Sequence, residues 1–264
     1  MNIFDIHVHI FPEKIAAKAV SGIGTFYEGF PMECDGRLDT AVREMDAAGI
    51  TRCAAHSVAT TPHQVHSINE FVMAAARQYP KRILPFAALH PGLENAPGTA
   101  QALRVLGFRG VKLHPEIQGF NIDDPRVLDM LAPLEGALPV LVHCGDHRYD
   151  NSCPARIKNV LKALPRITLI CAHLGGWQVW RENARQLAGA DVYVDTSSAL
   201  FALKKGEAER IIRAYGVDRA LYGTDFPMWG PVGEVERFNR LELTDDEREK
   251  ILWKNHLRLF GLEQ

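Results

Sequence analysis

Seven residues of this chain combine acid–base or metal-binding chemistry with a regular position in the sequence. Six of them are histidines, out of 11 in the chain, and one is an aspartate. Each stands at the end of a short apolar run of the kind that forms a strand, or just beyond it. The residues are His7, His9, His90, His114, His143, His173 and Asp225. Imidazole nitrogens and a carboxylate that meet in space would form a site for a hard-to-borderline divalent ion.

The first two histidines form a His-x-His pair. In a strand, residues i and i+2 project from the same face, so His7 and His9 can hold one ion while Val8 packs outward. Zinc takes such nitrogens at about 2.0–2.1 Å, and in catalytic sites it keeps one position open for water. A single histidine is more often a hydrogen-bonded core or surface residue. The ordered set at successive strand ends favours a metal site.

The elements that position these residues follow a strand–helix alternation. Amphipathic stretches, such as Leu38 to Ala48 before Gly49, lie between the apolar runs and predict helices. Runs that are apolar almost throughout are typical of parallel strands covered on both faces. The eight runs begin near Ile3, Arg52, Ile83, Phe108, Pro139, Ile167, Val192 and Ala220.

An open doubly wound sheet and a closed barrel both fit this alternation. Eight units, and the absence of a G-x-G-x-x-G turn after the first strand, favour an α/β fold of the (β/α)8 TIM-barrel type. We predict a single domain over 1–264, with an extended first βα loop between Phe11 and Asp35. The C-terminal ends of barrel strands converge on one mouth, so the scattered polar residues would meet there.

Composition excludes several classes of protein. The formal net charge of -2 leaves no basic surplus for a nucleic-acid backbone or an anionic membrane surface. No apolar stretch approaches the roughly 18 residues of a membrane span, and the N-terminus lacks signal-peptide features. The five cysteines form no C-x-x-C pair and suit reduced thiols. We therefore expect a cytoplasmic enzyme with a small-molecule substrate, and a homo-oligomer remains open.

The ordered motifs resemble those of the amidohydrolase superfamily. The residues that carry the resemblance are Asp5-Ile-His7-Val-His9, Gly110-Val-Lys112-Leu-His114-Pro, Val142-His143, Ala172-His173-Leu-Gly-Gly and Gly223-Thr-Asp225-Phe-Pro. Together they are similar to amidohydrolase family 2, whose members include metal-dependent hydrolases and decarboxylases. The resemblance extends over essentially the whole chain.

The resemblance implies a role for each of five residues. His7, His9, His143 and Asp225 would hold one divalent ion, zinc in the first instance and manganese as the alternative. His173 would act as the general acid/base, and Asp225 would serve as both ligand and proton acceptor. Binuclear members of the superfamily bridge a second ion with a carboxylated lysine, for which Lys112 is the candidate here. We favour a single ion.

Four residues are candidates for contact with substrate. Lys112 and His114 share strand parity, so both can face the barrel interior. Arg148 follows strand 5, where its guanidinium can grip a carboxylate, although pairing with a nearby loop aspartate is equally compatible with the sequence. Trp177 follows strand 6 on the same side as the metal, where it forms either a pocket wall or ordinary loop packing.

The same constellation supports more than one function. Hydrolysis of an amide, lactone or ester of a small carboxylated molecule is the first, with metal-activated water as nucleophile. Non-oxidative decarboxylation of an unsaturated or aromatic acid is the second, and a barrel that only binds is the third. We favour hydrolysis, because Arg148 and Arg156 would hold a carboxylate that remains intact, whereas a clamp on a departing carboxylate would oppose its loss.

Overall fold

Eight parallel strands form the centre of the molecule. The computed structural model describes residues 2–263. The strands pair in chain order, each with the next. They are β1 (Phe4–His9), β2 (Arg52–His56), β3 (Ile83–Ala88), β4 (Gly110–Leu113), β5 (Val140–Val142), β6 (Leu169–Cys171), β7 (Val192–Asp195) and β8 (Ala220–Leu221).

Backbone hydrogen bonds join the chain after β8 to β1. The amide of His9 donates to the carbonyl of Phe226 at 2.8 Å, and the amide of Asp225 donates to the carbonyl of His7 at 2.9 Å. The predicted (β/α)8 barrel is therefore confirmed. Six of the eight observed strands begin at the predicted residue or the next one, and the other two, β4 and β6, begin two residues later.

Helices alternate with the strands, and most of them lie on the outside of the barrel. They are α1 (Glu13–Phe26), α2 (Leu38–Ala48), α3 (Gln64–Gln78), α4 (Ala96–Ala102), α5 (Pro115–Gln118), α6 (Pro125–Leu131), α7 (Pro154–Ala163), α8 (Trp180–Leu187), α9 (Glu207–Tyr215), α10 (Pro231–Asn239), α11 (Asp245–Glu249) and α12 (Asn255–Phe260). A π-helical turn (Lys250–Lys254) connects α11 to α12. Within residues 2–263, no helix has the length and apolar character needed to cross a membrane.

Local sequence explains where two of these helices begin or end. Helix α2 ends at Gly49, which adopts the left-handed conformation (φ 71°) that glycine tolerates best. Helix α11 begins with a capping box, in which the Thr244 side chain and Glu247 satisfy each other's backbone amides. The segment 11–35 differs from the expected loop, because most of it forms α1, which lies over the mouth of the barrel.

An irregularity in β1 brings its two histidines to the inside of the barrel. Phe4 and Ile6 belong to the inner core, while Val8 packs in the outer core between strands and helices. The register between β1 and β2 shifts between Asp5 and Val8. Strict alternation from Phe4 would send odd-numbered residues outward. The shift lets His7 and His9 follow Ile6 into the interior, at the C-terminal mouth.

Candidate active site

Three donor atoms, from the first strand and from the segment that follows the last strand, form a compact triangle at the mouth. The Nε2 atoms of His7 and His9 lie 3.3 Å apart, and Asp225 Oδ1 lies 3.3 Å from the former and 3.5 Å from the latter. Two ligands about 2.1 Å from one ion, at a tetrahedral angle, would lie about 3.4 Å apart. This donor set therefore fits a divalent metal ion, and the structure brings these three predicted ligands together.

A buried carboxylate orients His7 for that role. Asp195 Oδ2 lies 2.9 Å from Nδ1 of His7, and Ser197 Oγ lies at the same distance from that nitrogen. A proton on Nδ1 that is donated to Asp195 leaves the lone pair of Nε2 unprotonated and directed into the space that it shares with His9 and Asp225. A carboxylate that fixes the tautomer and ring orientation of a metal-binding histidine is a general feature of such sites.

The same carboxylate also holds the segment that carries His173. Asp195 Oδ1 accepts the backbone amides of His173 and Ser197, each at 3.0 Å. His173 Nδ1 lies 3.1 Å from the carbonyl of Ser197 and 4.0 Å from Asp225 Oδ2. The ring of the predicted acid/base is thus fixed by β7 and directed towards the metal donors.

Backbone strain is concentrated at this mouth. His173 (φ 59°), Ser198 (φ 45°) and Asp225 (φ 68°) adopt positive φ although none is glycine. Such conformations cost of the order of 1–3 kcal/mol each and persist where the surrounding contacts impose them. Here Ser198 donates to Asp225 Oδ2 at 2.5 Å and receives the indole N–H of Trp229 at 2.9 Å. The strain is characteristic of a functional site.

His143, the fourth predicted ligand, lies beside His173 rather than within the triangle. Its Nδ1 is 3.0 Å from Nε2 of His173, and its ring stacks on His114 at 3.9 Å between centroids. Its Nε2 is buried and has no hydrogen-bond partner among the residues that the structure describes. Burial, more than any neighbouring charge, lowers the pKa of both His143 and His173 to about 4. The role of His143 as a ligand stays a prediction.

Lys112 and His114 line the cavity, as expected from their strand parity. Lys112 Nζ lies 2.9 Å from Nε2 of His7, and burial lowers its pKa to about 8. His114 Nε2 lies 2.9 Å from the hydroxyl of Tyr27, a residue of the segment that follows α1. A buried cation and a hydroxyl therefore face the same space as the donor triangle.

Arg148 and Trp177 do not line the cavity. The guanidinium of Arg148 makes two hydrogen bonds to Asp146, at 2.9 and 2.7 Å, and a further one to the carbonyl of Phe26. Trp177 is fully buried and packs against Tyr27 behind the mouth. Arg148 therefore forms an ion pair within its loop, and Trp177 packs among loop residues. Neither contacts the cavity.

Four residues that belong to the site did not emerge from the sequence as candidates. Asp195 and Ser197 follow β7, and the polar run Asp-Thr-Ser-Ser after Val-Tyr-Val was the available signal. Tyr27 lies in the segment that was predicted to be a loop. His56 is fully buried at the end of β2, with its ring edge-on to that of His9 and 4.4 Å between the centroids. Neither of its ring nitrogens has a partner in the described part of the chain.

A cavity of about 590 Å³ opens above these residues. Its floor contains the donor triangle, Lys112, and three further histidine rings at the mouth or beside it. Its walls come from α1, from α3 and from loops that follow the strands. The size is within the roughly 300–1,000 Å³ of small-molecule sites. The geometry is that of an enzyme active site at the C-terminal mouth of a TIM barrel.

The barrel and its mouth define a TIM-barrel enzyme with a candidate histidine–aspartate metal site. The chain matches the model of the amidohydrolase family over residues 4–262 and belongs to that family. It is an enzyme of the amidohydrolase superfamily, as the ordered motifs predicted. No curated protein matches the chain.

Solved structures with the same fold cover nearly all of the chain. A TIM-barrel protein of Bordetella bronchiseptica is 24% identical, with a TM-score of 0.80 and coverage of 99% of both chains. A dihydroxybenzoic acid decarboxylase of a Polaromonas species, solved with manganese and 2-nitroresorcinol, is 18% identical, with a TM-score of 0.74 and coverage of 100% of this chain and 98% of its own. A 5-carboxyvanillate decarboxylase of Novosphingobium aromaticivorans, solved with manganese, is 15% identical, with a TM-score of 0.75 and coverage of 98% and 96%.

Proposed function

We propose that the protein is a metal-dependent, non-oxidative decarboxylase of an aromatic or unsaturated acid. The donor triangle of His7, His9 and Asp225 supports a single divalent ion. The two decarboxylases of the same fold, both solved with manganese, support this reaction and make manganese a candidate beside zinc. Decarboxylation was the second of the two reactions compatible with the sequence, and it now has more support than hydrolysis.

The observation that carries this proposal is the pairing of the two arginines. Hydrolysis of a carboxylated substrate would be favoured if Arg148 and Arg156 held a carboxylate that remains intact. Arg148 is paired with Asp146, and Arg156 is paired with Asp123 at 2.7 Å. Neither guanidinium lines the cavity. The carboxylate therefore meets no bidentate arginine clamp. The cation that it meets on the cavity floor is the single ammonium of Lys112, a weaker grip that opposes its loss as CO2 less.

The reaction requires one bond to break and one proton to move. The bond between the substrate carbon and its carboxylate breaks, the electron pair stays on the carbon, CO2 leaves, and a proton takes its place. A bound divalent ion would supply the positive charge that positions the acid and lowers the energy of the developing negative charge.

The chain's own residues would hold and deliver the proton. The carbonyl of Ser197 accepts the Nδ1–H of His173, which leaves Nε2 as the atom that would take up and release the proton. This Nε2 lies 3.0 Å from Nδ1 of His143, so the two rings would share the proton path. Asp225 Oδ2, 4.0 Å from that ring, offsets the charge of the protonated form. Lys112 supplies a buried cation for the anionic acid before the bond breaks.

The test is to follow acid release and CO2 release separately in enzyme stripped by chelator and reloaded with Mn²⁺ or Zn²⁺. We expect metal-dependent CO2 release from hydroxylated benzoates or unsaturated acids. His173→Asn should lower it by about 10²–10⁴-fold, the usual contribution of a positioned acid/base. His66→Asn is the matched control, because the His66 side chain is 86% exposed and lies outside the cavity. Metal-dependent hydrolysis of carboxylated lactones or amides, without CO2 release from any acid, would overturn the proposal in favour of hydrolysis.

A further inference from the structure

Helix α1 presents an apolar stripe to the cavity. Ile15, Ala19, Gly22, Ile23 and Phe26 all line it. Their spacing places them on one face of the helix, since positions three, four, seven and eight apart share a face. Ile15 remains 48% exposed, although it is a large apolar side chain. A helix that turns apolar residues towards an open cavity, instead of the core, provides a wall for an apolar occupant.

Helix α3 forms the facing wall in the same way. Gln64, Ser67, Ile68 and Phe71 line the cavity at positions i, i+3, i+4 and i+7. The Gln64 side-chain oxygen accepts backbone amides of the preceding turn, which occupies its acceptor. The inner part of this wall, Ile68 and Phe71, is apolar.

Charged residues are confined to the floor and the rim. Among the described residues that line the cavity, Asp225 is the acidic one, and Lys112 and Lys18 are the lysines. Lys112 is buried on the floor, whereas Lys18 is exposed on α1. The walls between them carry only neutral side chains. The distribution suits a molecule with an anionic end at the metal donors and an uncharged body.

The volume exceeds what a single ring requires. A cavity of about 150 Å³ accommodates one benzene molecule. The cavity here, at about 590 Å³, is several times larger. A one-ring acid would occupy the floor and leave the walls of α1 and α3 in contact with water.

We propose that the substrate is an amphipathic acid with an apolar body substantially larger than one ring. Its carboxylate would lie on the floor beside Lys112, and its body would lie between α1 and α3. This inference rests on the proposed function, because it takes the carboxylate as the reacting end. The continuity of the walls with the donor triangle in one cavity identifies the occupant as substrate, and not a partner on a separate surface.

The test uses 4-alkyl-2-hydroxybenzoates, from methyl to hexyl, as ligands of the Mn²⁺-loaded enzyme. Calorimetry gives the Kd of each, and competition against the best acid found in the turnover assay shows that each binds at the site. We expect Kd to fall about threefold to fourfold for each added methylene until the cavity is filled, since this is the effect of burying one methylene.

Two wall variants and one control distinguish the cavity from general hydrophobicity. Ala19→Phe should weaken binding of the hexyl compound at least tenfold more than binding of the methyl compound, because the new ring would fill space between the helices. Ile15→Asp should reduce the dependence on chain length and should fold, since Ile15 is half exposed. Val105→Asp, at a 91% exposed position outside the cavity, should change neither the Kd of the methyl compound nor that of the hexyl compound.

Each adverse result has a distinct meaning. If short acids bind but Kd does not improve with chain length, the proposed substrate class is wrong while the proposed decarboxylase stands. If the chain-length effect survives in both wall variants, the body lies elsewhere and the inference is overturned. If no acid of the series binds although another acid is decarboxylated in the turnover assay, the proposed substrate class is wrong. If no acid binds and none releases CO2, the proposed function itself fails. A Kd for the hexyl compound that depends on protein concentration would show that a second copy of the chain occupies the walls, which also overturns the inference.

Discussion

Asp195, the last residue of β7, lies 2.9 Å from Nδ1 of His7 on β1, two strands away around the barrel. The other oxygen of the same carboxylate accepts the amide of His173. One buried group thus sets the orientation of a metal donor and of the proposed proton carrier. Its substitution should therefore affect metal binding and turnover together.

Asp195→Asn should weaken metal binding about 10–100-fold, the usual effect of removing the group that orients a ligand. An amide cannot accept the His7 proton as a carboxylate does, and the wrong tautomer then competes for the ring. Competition with a chelating dye measures the affinity. Asp191→Asn is the control, because Asp191 is exposed and lies outside the cavity. Unchanged metal affinity in Asp195→Asn would remove Asp195 from the site.

His9→Ala should remove the metal without unfolding the barrel. Residues at the C-terminal mouth serve function more than stability, and the His9 side chain adds no core packing comparable to that of Val8. We expect less than about a tenth of an equivalent of metal by elemental analysis, against about one in the parent protein. The metal-free variant and the metal-free parent protein should have the same far-UV circular dichroism spectrum and the same thermal midpoint. A full equivalent in the variant would exclude His9 as a ligand.

His173→Asn should retain its metal, because His173 is assigned to the proton and not to the ion. Elemental analysis of the same sample used for turnover provides the measurement. Loss of metal would make His173 a ligand, in line with the proximity of its ring to His7 and Asp225. In that case a second ion bridged by carboxylated Lys112 would gain support.

Stability should fall as the pH drops below about 6.5. Burial lowers the pKa of His256 to about 3, so the folded state keeps this ring neutral while the unfolded chain takes up a proton. The unfolded state then binds more protons, and the free energy of unfolding decreases by about 1.4 kcal/mol per pH unit for each such group. His256 lies outside the cavity and stacks on Phe4. His256→Phe therefore isolates the contribution of this ring to the pH dependence of the free energy of unfolding. Urea midpoints between pH 7.5 and 4.5 should fall less steeply in that variant, and an identical slope would refute the assignment.

Thr244→Ala should destabilise the protein by about 1 kcal/mol, the typical value of a lost helix cap. The hydroxyl of Thr244 accepts the amide of Glu247, and the Glu247 side chain accepts the amide of Thr244. A fall of about 2–4 °C in the thermal midpoint is expected for a chain of this size. Turnover should be unchanged, because α11 lies away from the mouth.

The barrel could be predicted because its signals are local and repeated. Each strand is a short apolar run, and each helix between them has its own periodicity and stop residue, as at Gly49. Polar residues at strand ends then pointed to the mouth without any knowledge of packing. This reasoning found His7, His9 and Asp225, which the structure brings together.

The other features of the site could not be predicted, because they depend on long-range contacts or on uncommon backbone conformations. Nothing in the sequence distinguishes Asp195 from other strand-end residues, because its partners come from distant segments. They are His7 on β1 and the backbone amide of His173 after β6. Helix α1 contains Gly22 and Gly24, each of which costs about 1 kcal/mol in a helix, so the segment reads as a loop. The pairing of Arg148 with Asp146 depends on how one loop folds over another. The positive φ of His173 has no signature in its residue type.

The seam between β1 and the end of β8 is also where the first and last strands of the chain meet. An ion held by His7, His9 and Asp225 would act as a cross-link between segments that are more than 200 residues apart in sequence. Cross-links that close long loops restrict the unfolded chain the most. A bound ion would thus stabilise the closure of the barrel, because it would link β1 to the segment that follows β8. Catalytic competence and resistance to global unfolding would then share one switch, the availability of the metal.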